Sequence, residues 1–149
     1  MQSNLTPVFC KIQQKKDFNN LMDVYLDAVF FSRLHELDFA QEGHRVEFAE
    51  ADNPDSDLVY KGVVFNEMKG AFSDPIRLIF HHIFGGLMPG STYAHESGGD
   101  PRDIPDLSFE QFCDFHRKHY HPSNCTLFVY GDAPLEQELE FLDDRFLSR

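Results

Sequence analysis

The chain has 149 residues, 42% hydrophobic and 26% charged, a size and balance that suit one soluble globular domain with a real core. Its formal charge of −12 repels phosphate backbones and excludes a nucleic-acid partner. No apolar run approaches the roughly 20 residues of a membrane span, and the opening Met1-Gln2-Ser3-Asn4-Leu5 lacks the pattern of a signal peptide. Sixteen Phe and no Trp call for a covered interior, or for a partner surface if the fold is incomplete. Cys10, Cys113 and Cys125 form neither a disulfide framework nor a CxxC pair, so a reducing compartment is expected.

Val8, Phe9 and Ile12 predict a short strand. A helix follows, with Asp17 as the expected N-cap. Phe18, Leu21, Met22, Tyr25, Leu26, Val29 and Phe30 form its apolar face at alternating spacings of three and one. A second, short helix through Leu34, Leu37 and Phe39 stops near Gly43. Arg45–Ala49 alternates like a half-buried strand, and residues 52–57 are dense in turn formers. A long helix is expected from Leu58 past Phe80, interrupted at Gly70 and Pro75. Residues 89–105 read as a long loop. Ser108 and Gln111 make a capping-box pattern before a helix carrying Phe109, Phe112, Phe115 and His119. Thr126–Tyr130 has the strongest strand character, and Leu135, Leu139, Leu142 and Phe146 mark a last amphipathic helix. The mixture predicts an α+β domain of two layers, helices packed on one sheet.

Glu67 stands out chemically. At helical spacing its neighbours are Val63, Val64, Gly70 and Ala71, none of them basic, so its surroundings are expected to be small and apolar. Two readings stand. A helix glutamate can reach water or a distant arginine, and a carboxylate buried in such surroundings needs a partner such as a metal ion. His116, His119 and His121 are interleaved with Arg117 and Lys118, whose charge opposes a cation, and suit a helix C-terminus instead. His81 and His82 are adjacent and point apart on a helix, and His95 sits in the long loop. Ser97-Gly98-Gly99-Asp100 lacks the ending of a phosphate loop, and its glycines suit a tight backbone path.

Four ordered blocks resemble the presequence-protease branch of the pitrilysin/insulinase zinc peptidases. They are Asn20–Phe31, Tyr60–Ala71, Ser97–Pro101 and His119–Asn124, and the likeness runs from about Asp17 to Asp132. The resemblance implies a zinc site with an inverted His-x-x-Glu-His motif on one helix and a second glutamate on a later helix, here Glu67. The base glutamate of that motif, and so the catalytic group, is expected outside this chain, because no His-x-x-Glu-His occurs in it. The expected object is an incomplete pitrilysin-type half-domain over residues 1–149, without the motif segment or the later domains. It is expected to belong to a metalloendopeptidase acting on short unfolded peptides. Zinc would be a cofactor of the intact enzyme, and weakly held or absent in this chain alone. The alternatives are a non-catalytic module of the same family and one half of a split peptidase. The expected compartment is a bacterial cytoplasm or an organelle matrix.

Overall fold

The computed structural model describes residues 14–132 and 134–148; the predicted strand at Val8–Ile12 lies outside them. The chain divides into two compact units. One spans Leu34–Phe109, and the other joins residues 14–33 to residues 110–148.

In the Leu34–Phe109 unit, α2 (Glu36–Glu42) starts where the Leu37 amide donates to His35 Nδ1 at 3.1 Å and stops at Gly43. Strands β1 (Arg45–Phe48) and β2 (Leu58–Lys61) pair antiparallel, Val46 opposite Tyr60 and Phe48 opposite Leu58. Next come α3 (Val63–Ala71) and α4 (Pro75–Leu87), then a loop with short 3₁₀ turns at Thr92–Ala94 and Ile104–Asp106. Asp74 caps α4 by accepting from the Ile76 amide at 2.9 Å, and Pro75 occupies the first turn, where its missing N–H costs nothing. The buried cluster is Phe65, Met68 and Ile104, flanked by Val64 and Phe72.

The other unit carries α1 (Lys15–Phe30), α5 (Phe109–His119), α6 (Leu135–Leu142) and a π-turn at Asp143–Leu147. The apolar stripe of α1 contributes Met22 and Leu26, which pack with Leu142 and Phe146. Arg145 pairs with Asp23 of α1, and the His116 ring donates from Nε2 to the Val29 carbonyl at 2.8 Å. α1, α2, α5 and α6 thus fall where the apolar periodicity places them.

Several expectations are corrected. Gln14, not Asp17, is the N-cap of α1, and Asp17 sits inside the first turn, where its charge still favours the helix dipole. The long helix expected from Leu58 is a strand, a helix and a second helix: residues 58–61 find a ladder partner in β1, and Asp74-Pro75 restarts the backbone. β1 also turns its apolar side chains outward. Val46, Phe48, Leu58 and Tyr60 are exposed, while Glu47 on the opposite face binds Arg45 at 2.7 Å and Lys61 at 2.8 Å. Those two donors hold the Glu47 carboxyl below the usual range, with Lys61 the stronger influence.

Thr126–Tyr130 joins no ladder among the described residues. Phe128 is 84% and Tyr130 90% exposed, so the alternation suits a strand, but a strand also needs an edge to pair with. The sheet of the described residues is two-stranded, and the architecture is α+β.

Candidate functional site

Glu67 lies on α3, a nine-residue helix that begins at Gly62. A Cβ at Gly62 would sit 2.1 Å from the Gly43 carbonyl oxygen, so only glycine lets α3 start against the end of α2. Phe65 and Met68, three apart, share one helix face and reach Ile104. Successive residues on a helix are turned by about 100°, and Glu67 therefore falls off that face. It is exposed, and its carboxylate has no hydrogen bond or ion pair among the described residues. Of the two readings its neighbours allow, a carboxylate reaching water is the one the structure shows. Gly70 carries no side chain, nothing within 4 Å would meet a Cβ there, and the helix surface beside Glu67 is open to water.

His116 stacks on Tyr120 at 4.9 Å, His119 meets Phe115 at 4.5 Å, and His121 accepts the Ser123 amide on Nδ1 at 3.2 Å. These contacts lie at and just beyond the C-terminal end of α5. His81 Nδ1 lies 3.8 Å from Glu96, and His95 lines a cleft of about 340 Å³ with Glu96, Asp100 and Asp103. Among the described residues no group of three His, Cys, Asp or Glu side chains is placed to hold a metal ion. A free exposed carboxylate fits one donor of a zinc site.

The loop after α4 is more ordered than its composition suggests. Arg77 donates to Glu96 at 2.5 Å, and Arg77 and His81, one turn apart on α4, both face that carboxylate. Arg102 binds Asp100 through its guanidinium at 2.5 Å and its amide at 2.8 Å. The side-chain bond from Arg102 is the main cause that holds the Asp100 carboxyl down at about 2. Gly98 and Gly99 adopt φ of 92° and 90°. The i, i+4 placement of Arg77 and His81 on α4 is the one local trace of this clamp in the sequence, because Glu96 joins it only through the fold.

The profile of the family described as "Peptidase M16 inactive domain" matches residues 106–149. The chain is also 55% identical over 137 residues to the mitochondrial presequence protease of Danio rerio. The corresponding protein of Xenopus laevis is 52% identical, and that of Mus musculus 51%. Each alignment covers 92% of this chain and 13% of the relative. The chain belongs to the presequence-protease branch of the M16 peptidase family. This M16 segment thus spans about 13% of the length of those relatives. Glu67 falls outside the stretch that the inactive-domain profile matches. No helix among the described residues of the M16 segment is long and apolar enough to cross a membrane.

Proposed function

We propose that this segment supplies Glu67 as a carboxylate ligand of zinc in a metalloendopeptidase of pitrilysin type that cleaves short unfolded peptides. Two histidine ligands and the base glutamate lie, in this reading, on polypeptide outside these 149 residues. The observation that supports it is the exposed, unpartnered carboxylate at the position where the family blocks carry their later glutamate. Zinc, when bound, supplies a Lewis acid that polarises a scissile carbonyl and acidifies water. Glu67 contributes one oxygen donor, and α3 holds it on the solvent side of the helix. The relatives are named as mitochondrial, and an organelle matrix is the proposed compartment.

One carboxylate binds zinc weakly, because affinity needs most of the ligand shell. The purified chain with zinc and a fluorogenic peptide therefore gives no turnover; chelator-sensitive cleavage by the chain alone sinks this reading. A second reading, a non-catalytic module of the same family, is favoured by the inactive-domain match at residues 106–149. Co-expression with a chain bearing His-x-x-Glu-His separates the two. The module reading predicts no zinc and no peptidase activity in any complex that forms.

A further inference from the structure

We propose that Gly98 and Met68 form a latch that sets the rotation of α3, and hence the direction of Glu67. Both are then positioning residues for the metal ligand; the inference rests on the ligand reading of Glu67.

Met68 directly follows Glu67 and is only 5% exposed. Because neighbouring side chains on a helix keep a fixed angle of about 100°, whatever fixes Met68 also fixes Glu67. The Met68 thioether occupies the space beside the loop glycine where a side chain at 98 would sit. A Cβ at Gly98 would lie 2.5 Å from Met68 Sδ and 3.4 Å from its Cγ and Cε. The Gly98 φ of 92° is one that side chains rarely adopt, so the bare backbone at 98 is shaped to the thioether. Gly99, at φ 90°, fits the other wall: its Cβ would meet Ile104 Cγ1 at 3.4 Å. Ile104 and Met68 belong to one buried cluster, so the double-glycine turn lies against both.

A latch needs a support independent of what it holds. Glu96 is tied to α4 through Arg77 at 2.5 Å, and the Gly99 amide donates to the Glu96 carbonyl at 3.2 Å. Asp100 closes the next turn through Arg102. None of these bonds involves α3. At its N-terminal end α3 is seated by Gly62 against Gly43. The helix is therefore seated at its start by Gly62 and packed at mid-length through Met68, next to the exposed Glu67.

Gly90 provides the control. It has φ of 77°, but nothing within 4 Å would meet its Cβ. Gly90→Ala carries backbone strain alone, whereas Gly98→Ala carries strain and displaces Met68. Amide hydrogen exchange of the 149-residue chain reads the difference. Gly98→Ala is expected to speed exchange across Phe65–Ala71 by about tenfold more than Gly90→Ala. Met68→Ala also loosens α3 but vacates the space a Cβ at 98 needs, so the double variant recovers part of the protection lost in Gly98→Ala. Equal α3 exchange in Gly98→Ala and Gly90→Ala, or strictly additive effects in the double variant, overturns the latch. In the zinc-loaded peptidase that contains this segment, Gly98→Ala lowers zinc occupancy and kcat at unchanged KM. A normal kcat and zinc content there also overturns the latch. Unchanged zinc in Glu67→Gln overturns instead the ligand reading beneath it, whatever the exchange rates show.

Discussion

Glu138 offers a stabilising substitution that follows from burial alone. It is 3% exposed on α6, and its Oε2 has no hydrogen-bond partner among the described residues. A buried polar atom left without a partner costs about 1–3 kcal/mol. Its place in the first turn of α6 returns about 0.3–1 kcal/mol through the helix dipole. Methionine matches the length of glutamate, keeps an unbranched chain in the same space and removes the unsatisfied oxygen. Glu138→Met should therefore stabilise the chain by about 1–2 kcal/mol, or about 2–8 °C in Tm at this size. The matched control is Glu140→Met, at an exposed position of the same helix, which should stay within about 0.5 kcal/mol of wild type. Circular-dichroism melts and urea titrations measure both. A Tm for Glu138→Met below that of Glu140→Met refutes the reasoning, because the carboxylate would then be repaid by an interaction that burial does not reveal.

Phe146→Ala should cost about 3–5 kcal/mol in a urea titration, since its 3% exposed ring closes the cluster of Met22, Leu26 and Leu142. Gly62→Ala should destabilise far more than Gly90→Ala, because its Cβ would strike backbone at 2.1 Å while that at Gly90 meets open space. Asp100 makes stability depend on acid pH. Its folded carboxyl, near 2, lies below the ordinary 3.8, so its contribution is full above about pH 4 and fades as pH falls towards 2. Arg102→Ala should then lower stability at pH 7, and the difference from wild type should shrink as pH falls towards and below 2.

The helices were legible because their signal is local. The stripe from Phe18 to Phe30 predicts α1, and Gly43 ends α2 as expected. Residues 58–71 depart from the expected helix because a mostly apolar stretch suits a strand or a helix equally well. The choice was made by pairing with residues 45–48, a contact that no local pattern records. The same non-local requirement leaves Thr126–Tyr130, for all its strand character, outside any ladder of the described residues.

The site was legible in a different way. The neighbouring residues leave burial and solvation of Glu67 both open, and the helix phase set by Phe65 and Met68 puts it in water. Its assignment came from the ordered family blocks rather than from local physics. Gly98 announced a tight turn in the sequence, but its partner Met68 lies thirty residues earlier, and only the folded chain joins them.

Zinc content of a reconstituted complex tests the central claim most directly. The chain is co-expressed with a separate chain carrying His-x-x-Glu-His, and metal is counted in the purified complex for wild type and Glu67→Gln. Glu67→Gln removes a charged donor from an exposed position without a partner, so its stability should stay within about 0.5 kcal/mol of wild type. The account predicts close to one zinc per wild-type complex and a large loss of zinc in Glu67→Gln. Equal zinc in the two complexes would contradict it.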